Sequence, residues 1–329
     1  MIGLNPTDNI VAREFDKSGF VAALTHGKKA ILDECISVFN KTSKLNIVFG
    51  FEIEFYIRFS DENLSYAMVS DLLNEACKEI DLFDFIEQEK GEGQYEVKTK
   101  ANSDAEYSLE QVDLMLEAIK ICCENQGFEA IFDARPYKDD CPNAFQVNFS
   151  LNNKNGENIL ANNAKITSQI ADFITFHLDE LLIFSNEKDE DFARYDHKYN
   201  LALFKKGNFI APTTKSWGFD NRSCAVRVLN SEKYGKNARI ELRIASNNIK
   251  KHLFLAATAI ILGNFFDIVY YKEFGQQIYG NSFDEKYSLK KIAMNYSGAM
   301  DDFFKEGGIV FPAMLKILEA QKTNFISST

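Results

Sequence analysis

Four segments of this 329-residue chain place carboxylate, amide, hydroxyl or guanidinium side chains at every second position. Because successive side chains of a β-strand point to opposite faces, this spacing predicts strands with one polar and one apolar face. Carboxylates that converge on one face repel one another unless cations neutralise them. The pattern therefore indicates a divalent-metal site flanked by phosphate-binding arginines. The alternating polar residues are Glu52 and Glu54; Gln94 and Glu96; Gln146, Asn148 and Ser150; and Arg239, Glu241 and Arg243.

The chemistry that such a face favours is that of ATP. Mg²⁺ and Mn²⁺ prefer oxygen ligands and keep coordination positions for water and nucleotide phosphates. The chain has no GxxxxGK[ST] phosphate-binding loop, and the residues around Gly27 lack the glycine spacing of that motif. Phosphate would then be held by metals and arginines.

The apolar faces of the same segments predict a sheet backed by helices. Phe51, Ile53, Phe55 and Ile57 share one side of the segment 48–59, and the other three segments repeat this design. One-sided strands are typical of antiparallel sheets, so the expected fold is α+β, a curved antiparallel sheet with helices on its apolar face. The spacing of apolar residues predicts helices over 24–42, 64–80, 109–126, 158–185, 249–272 and 288–304.

Composition indicates one ordinary globular domain. Hydrophobic residues make up 46% of the chain and charged residues 26%, as in typical soluble domains. No Pro/Gly-rich linker or low-complexity tract marks a boundary. We assign residues 1–24 to a lead-in segment and residues 25–329 to a single catalytic domain.

The charge of the chain limits its partners. A net charge of −11 disfavours nucleic acid and anionic membranes, because phosphates repel a chain of that sign. No apolar stretch has transmembrane length, and the first residues lack the apolar run of a signal peptide. The six cysteines lack zinc-type spacing and are expected to be reduced thiols. We therefore expect a cytoplasmic protein that acts on small molecules.

The polar segments resemble motifs of the glutamine synthetase and glutamate–cysteine ligase superfamily. GFEIEF (50–55) is similar to the metal strand G-x-E-x-E-F, and EKGEGQYEV (89–97) to the run E-x-x-x-x-G-Q-x-E. FDNRSCAVRV (219–228) is similar to N-R-S-x-x-x-R, and ARIELR (238–243) to R-I-E-x-R. The four motifs occur in the order of the family, which makes the combination more specific than any one of them.

The resemblance implies a role for each matching residue. Glu54 and Glu96, with Glu89, would hold one metal, although a one-residue shift would bring Gln88 or Glu87 to the place of Glu89. Glu52 and Glu241 would hold a second metal, with Gln146 as an amide ligand. Arg222 and Arg243 would bind the acyl phosphate or the substrate carboxylate. The residues that would contact the nucleotide are Arg227, Arg239, Lys236, Asn148 and Ser150.

The reaction implied by the resemblance is the ATP-dependent ligation of a carboxylate to an amine. ATP phosphorylates a glutamate-like carboxylate, and the amine attacks the acyl phosphate. Two Mg²⁺ or Mn²⁺ ions would neutralise the transferring phosphoryl group while arginines stabilise its charge. A homo-oligomer would be in keeping with the resemblance.

Departures from the family pattern concern the second substrate. Where the family's flap places a glutamate for ammonium before Ala-Pro, this chain has Ile210. The residues before the first metal strand are too few for the small N-terminal β-domain of glutamine synthetase rings, which is expected to be missing. The histidines of the third strand are replaced by Gln146 and Asn148, as in the glutamate–cysteine ligase branch, and Cys141-Pro142-Asn143-Ala144 replaces a glycine-rich loop. We therefore expect an organic amine as acceptor and not free ammonia.

Other functions fit the same residues. A nucleotide-binding pseudoenzyme or regulator of this fold would also retain the polar face, and so would a phosphotransferase or ATPase without an amine acceptor. A further alternative is that the arginines form structural ion pairs with the glutamates. The retained glutamates and arginines favour the ligase.

Overall fold

The computed structural model describes residues 17–59, 65–268, 271–305 and 307–327, with side chains to residue 320. One mixed sheet and a layer of helices make up this part of the chain. The strands are β1 Asn46–Arg58, β2 Phe83–Gln88, β3 Gln94–Thr99, β4 Glu129–Ile131, β5 Phe145–Asn152, β6 Trp217–Phe219, β7 Val226–Leu229 and β8 Arg239–Ala245. The α-helices are α1 Lys17–His26, α2 Lys28–Ser43, α3 Tyr66–Cys77, α4 Ala105–Gln126, α5 Ile159–Asn162, α6 Ala164–Phe176, α7 Leu182–Ser185, α8 Asp189–Phe192, α9 His197–Lys205, α10 Ser231–Tyr234, α11 Lys251–Asp267, α12 Tyr296–Phe303 and α13 Val310–Ser327.

The sheet places the four predicted strands side by side. Its order is β2-β3-β1-β5-β8-β7-β6, with β4 paired to β1 outside this path. All pairs are antiparallel except β6 with β7. The predicted α+β fold with an antiparallel sheet is confirmed, with one parallel pair at an edge. Since β3, β1, β5 and β8 are consecutive, their polar residues share one face.

The register aligns the polar residues across the strands. Glu54 lies opposite Glu96, and Glu52 lies opposite Gln146. On the next pair, Asn148 lies opposite Glu241. Directly opposed side chains in an antiparallel sheet have Cβ atoms about 4.5–5.5 Å apart, so these residues can interact.

The other face of the sheet packs against helices. Phe51, Ile53, Phe55 and Ile57 of β1 are all buried. Helices α2 and α4 lie against β1, α6 lies against β6 and β7, and α7 lies against β8. Burial of each such side chain contributes about 1.5–3 kcal/mol to the free energy of folding relative to exposure. The apolar face therefore packs against the helices, and the polar residues are directed to the opposite face of the sheet.

Helix α11 forms a second layer behind the sheet. It packs on α2 and α6 and is buried continuously from His252 to Leu262. A helix that is apolar on all sides is normally a core helix. Among the described residues, no helix has the length and hydropathy needed to cross a membrane.

The predicted lead-in segment is helical at its end. Helix α1 includes residues 17–24 and buries Phe20, Val21 and Leu24. The ring of Phe20 meets the ring of Phe311 edge-on at a centroid distance of 5.0 Å. This part of the segment therefore packs into the same core as the domain, while residues 1–16 lie outside the described residues.

Each predicted helical range contains a helix, but some helix boundaries differ from the predicted ones. The range 24–42 is divided between α1 and α2, and α4 begins at Ala105 and not at residue 109. The side chain of Asp104 accepts a hydrogen bond from the Tyr107 amide at 3.0 Å and caps this helix. Asp is among the preferred N-cap residues, so the helix begins directly after Asp104, one turn before the predicted start.

Candidate active site

The polar face of the sheet is largely buried. Charged residues are almost never fully buried unless they are paired, so the partner of each group decides what the face can do. Seven predicted site residues are at most 8% exposed: Glu54, Glu96, Gln146, Asn148, Arg227, Glu241 and Arg243.

Three carboxylates meet at the β2–β3 end of this face, and we call Glu87, Glu89 and Glu96 the acidic cluster. One oxygen of each lies within 4.8 Å of the others. Glu87 lies opposite Glu96 in the β2–β3 pair, whereas Gln88 lies opposite Tyr95 and so takes the other face. The structure therefore places Glu89 and Glu87, and not Gln88, beside Glu96.

Glu54 lies next to the acidic cluster, and among the described residues it forms no ion pair, although the charges of Arg243 and Arg194 partly offset the rise in its pKa. Its Oε1 accepts a hydrogen bond from Gln146 Nε2 at 2.8 Å. Burial, with the nearby charge of Glu89, raises the pKa of Glu54 to about 8. Burial also raises the pKa of Glu96 well above its ordinary value, and Glu52 and Glu54 add to the effect. Such carboxylates are suited to a divalent cation, which would favour their ionised form.

Lys98 contacts the acidic cluster, and the sequence argument missed it. Its Nζ lies 2.9 Å from Glu96 Oε2 and also forms an ion pair with Glu87. Burial would lower the pKa of Lys98, but Glu96 and Glu87 outweigh that effect and raise it. The alternation in β3 could have identified it, because Lys98 follows Gln94 and Glu96 at the next position on the same face of the strand.

Glu241 is held by two arginines. Its Oε2 accepts a hydrogen bond from Arg227 Nη1 at 2.8 Å, and its Oε1 pairs with Arg243. Burial alone would raise the pKa of Glu241, but Arg243 and Arg227 outweigh it and lower the pKa. Both carboxylate oxygens are therefore engaged in structural ion pairs, the alternative raised from the sequence.

Arg227 is enclosed by acidic partners. Besides Glu241, it binds Asp220, to which its Nε donates at 3.1 Å. Asp220 has a φ of 45° and also pairs with Lys233. Burial would raise the pKa of Asp220, but hydrogen bonds from Lys233 and Arg227 hold it well below its usual range. Sequence reasoning missed Asp220, and it predicted that Arg227 would contact the nucleotide.

A cleft of about 500 Å³ opens beside Glu52 and Lys98. We call it the basic cleft, because Lys98, Lys100, Lys236 and Arg239 line it. Pockets of about 300–1,000 Å³ accommodate small ligands. The cleft unites the predicted nucleotide residues Asn148, Ser150, Lys236 and Arg239. None of the predicted site residues lines a larger cavity of about 660 Å³ near Trp217.

Arg239 connects the basic cleft to the carboxylates. Its Nε donates to Asn148 Oδ1 at 2.8 Å, and its Nη2 lies 3.5 Å from Glu52 Oε1. Asn148 Nδ2 donates to the same Glu52 oxygen at 3.2 Å. Burial and Glu241 raise the pKa of Glu52. Within the part of the chain that the structure describes, Glu52 forms one ion pair, with Arg239, and it lines the cleft on the side of Glu241.

Arg222 is exposed beside the acidic cluster. Its guanidinium lies 4.7 Å from the ring centre of Phe209. The charge of Arg222 lowers the pKa of Glu89, although burial has the larger effect and leaves that pKa raised. An arginine so placed has donors available for an anionic ligand.

The side chain of Ile210 does not face the carboxylates. It is 7% exposed and packs in a small hydrophobic cluster with Tyr199, Leu203 and Phe283. Only its backbone reaches the site, where the carbonyl accepts a hydrogen bond from Arg243 Nη2 at 3.4 Å. The hydrophobic effect thus holds the Ile210 side chain in this cluster.

Residues of the G-Q-x-E motif stabilise a turn in addition to supplying the carboxylate of Glu96. Gln94 Oε1 accepts a hydrogen bond from the Gly91 amide at 3.1 Å, and its Nε2 donates to Asn143 Oδ1 at 3.1 Å. A Cβ on Gly91 would lie 2.0 Å from Tyr56 Oη, and Gly93 has a φ of 77°. These contacts fix the turn that holds Glu89 near Glu96, a role that sequence reasoning did not assign to Gln94.

The metal-free protein is expected to lose stability as the pH rises from about 4.5 to about 8. In this window the folded state binds more protons than the unfolded chain, because the pKa of Glu54 is raised from 4.5 to about 8. The raised pKa values of Glu52, Glu89 and Glu96 act in the same direction. Urea unfolding in EDTA across this range measures the effect. A Glu54→Gln control should show a flatter profile, and stability that rises throughout would contradict the assignment.

The chain is similar in sequence to proteins of the glutamine synthetase type. Residues 65–315 match the family described as glutamine synthetase, catalytic domain. The chain is 29% identical over 199 residues to type-1 glutamine synthetase 2 of Dictyostelium discoideum, covering 60% of this chain and 36% of that protein. It is 24% identical over 203 residues to γ-glutamylputrescine synthetase of Escherichia coli, covering 60% of this chain and 41% of that protein.

A solved structure of GmaS in complex with ADP has the same fold. It superposes with a TM-score of 0.71 over 91% of this chain and 74% of that one, at 17% identity. The matched part of the chain spans about two fifths of the length of the Dictyostelium discoideum and Escherichia coli relatives.

Proposed function

The chain belongs to the glutamine synthetase catalytic-domain family, and on that premise we propose that it is an ATP-dependent ligase joining a glutamate-like carboxylate to an organic amine. One observation carries the proposal. A group of under-neutralised carboxylates, Glu54 and the acidic cluster, lies beside a cleft lined by lysines and an arginine. This arrangement suits a metal-bound nucleotide. The carboxylates would hold the divalent ion that neutralises the phosphates, and the lysines and arginine of the cleft would contact the phosphates directly.

The carboxylates fit one divalent ion well. Glu54, Glu89 and Glu96 would hold it, with Glu87 as a neighbouring ligand, because all offer the oxygen donors that Mg²⁺ and Mn²⁺ prefer. A bound ion would supply charge neutralisation during phosphoryl transfer. The predicted ligands of the second metal, Glu52, Glu241 and Gln146, are less suited to an ion. Both oxygens of Glu241 are paired with arginines, and the Gln146 amide is engaged by Glu54 and Arg243.

The chain's own residues would bind and orient the substrates. Asn148, Ser150, Lys236 and Arg239 would contact the nucleotide in the basic cleft. Arg222 would bind the substrate carboxylate and stabilise the acyl phosphate, while Arg243 would contact it from the β8 side. We assign Arg227 a supporting role, since it is buried between Asp220 and Glu241.

An organic acceptor is preferred over ammonia because the flap lacks a carboxylate at Ile210. A site that selects ammonium needs negative side chains that concentrate the ion and then accept its proton. In this segment the ring centre of Phe209 lies 4.7 Å from the Arg222 guanidinium, and the ring offers an apolar, cation-binding surface. The Escherichia coli relative, named for γ-glutamylputrescine, carries an organic amine in its product name.

Two measurements test the proposal. Mg·ADP should raise the melting temperature by mass action, and no shift at millimolar ligand would refute nucleotide binding. ADP release with Mg²⁺, ATP and glutamate should then require an organic amine from a panel of amino acids, diamines and small amines. Efficient turnover with ammonium alone would refute the acceptor assignment.

A nucleotide-binding regulator is the second candidate. It is favoured by the internal cations that already pair Glu241, Glu52 and Glu96. Such pairs stabilise a metal-free site and are not needed in one that is always loaded. Nucleotide binding without turnover of any acceptor in the panel would support this candidate.

A further inference from the structure

We propose that Lys98 is a built-in counter-ion of the acidic cluster, which a divalent ion must displace before it binds there. The inference rests on the metal site of the proposed function and concerns how this chain controls it. Lys98 contacts two of the three cluster carboxylates, at 2.9 Å from Glu96 and in an ion pair with Glu87.

The position of the ammonium is fixed from three sides. Glu96 and Glu87 hold it electrostatically, and it lies 5.1 Å from the ring centre of Phe85. Glu96 is almost completely buried, while the Lys98 side chain is 24% exposed. An ion pair with one partner in a low-dielectric environment is stronger than a surface pair, so Lys98 is a persistent occupant and not a passing one.

Charge balance distinguishes this cluster from the rest of the polar face. Glu241 has Arg227 and Arg243, and Glu52 has Arg239. Among the ion pairs of the described residues, Lys98 is the one cation in contact with the acidic cluster. Glu89 and Glu54 face the same space with hydrogen bonds but no cation contact in that part of the chain.

Competition follows from geometry. A divalent ion bound to Glu96 and Glu87 would share with Lys98 two carboxylates that Lys98 now contacts through Glu96 Oε2 and Glu87 Oε1. Two cations so close together repel each other strongly. Lys98 also lines the basic cleft, so a displaced ammonium has space to move toward a nucleotide phosphate. Metal binding would therefore break the contacts of Lys98 with Glu96 and Glu87. The charge of Lys98 would then be available to a nucleotide phosphate in the basic cleft.

The test is Mn²⁺ binding without nucleotide, measured by electron paramagnetic resonance on the full chain. Lys98→Gln should bind Mn²⁺ at least about tenfold more tightly than the parent, because it removes the competing cation. Lys98→Arg retains the charge and should keep parental affinity. Lys100→Gln is the matched control. It removes a charge from the same cleft, but the Lys100 ammonium contacts the Asp81 carbonyl at 3.1 Å and not the cluster.

Stability in EDTA provides the second readout. Without metal, Lys98→Gln should have a lower melting temperature than the parent, and Lys98→Arg should have a similar one. Adding Mn²⁺ should raise the melting temperature of Lys98→Gln by more than that of the parent. If the parent binds Mn²⁺ and neither readout distinguishes Lys98→Gln from Lys100→Gln, the role of Lys98 is overturned while the proposed function stands. Absence of Mn²⁺ binding in every variant would overturn the metal site as well. Should Lys98→Gln fail to fold, weaker Mn²⁺ binding by Lys98→Met than by the parent would overturn the proposal.

Discussion

Replacing Glu241 by glutamine should lower the free energy of unfolding by about 3–5 kcal/mol, the range found when one partner of a buried ion pair is removed. Glutamine has almost the same volume, so the loss would come from charge and not from packing. Glu241 is fully buried between Arg227 and Arg243. Without it, Arg243 would be left with the Gln146 and Ile210 oxygens as neutral partners.

Urea unfolding of the metal-free protein measures this loss. The matched control is Glu232→Gln, an exposed change on α10, which should stay within about 0.5 kcal/mol of the parent. A metal-ligand role for Glu241 gives the opposite pattern, with weakened metal binding and little change in stability. A loss no larger than that of the control would therefore contradict the structural role assigned to the two ion pairs.

Replacing Arg222 by glutamine should lower kcat of the proposed ligase by about 1,000-fold or more while the melting temperature stays the same. Arginines that stabilise a transferring phosphoryl group contribute about 10³–10⁵ in rate. Arg222 is exposed, and its described contact is with the ring of Phe209 at 4.7 Å. A contact of that kind contributes only about 0.5–1 kcal/mol at an exposed site, so the fold should not depend on it.

Steady-state ADP release with the best amine acceptor gives kcat and KM separately. Arg58→Gln is the control, since Arg58 is also exposed but pairs with Glu129 at the end of β1. A rise in KM for glutamate with unchanged kcat would limit Arg222 to substrate binding. Equal kcat for the two variants would contradict its assignment to the acyl phosphate.

The sequence predicts the centre of the fold well and its edges poorly. Strands β3, β5 and β8, and β1 from Phe51 to Phe55, alternate between apolar and polar residues, because one face is buried by helices and the other is polar. Strand β2 at the edge lacks that alternation, since Phe83 and Ile86 are its buried residues. Strands β6 and β7 are three and four residues long, too short for a periodic signal.

The candidate site is predictable as a set of residues but not as a set of pairings. Alternation places the glutamates and arginines on one face, yet it cannot tell that Arg227 and Arg243 form ion pairs with Glu241. Nor can it tell that Glu54 has a hydrogen bond but no ion pair among the described residues. Buried Arg194 shows the limit most clearly. It donates to the carbonyls of Asn143 and Arg243, 51 and 49 residues away, and no local pattern encodes such distant partners.

The strand order also determines when the site can form during synthesis. Gln146 and Glu54 are 92 residues apart, and Arg239 and Glu52 are 187 apart. Contacts of such high sequence separation close large loops and form late in folding. A nascent chain that ends before residue 239 exposes β5 as an unpaired edge, which is an aggregation hazard. The last central strand to leave the ribosome therefore completes the pairing of β5 and delivers Arg239 and Arg243, two of the cations that pair with the carboxylates of the polar face.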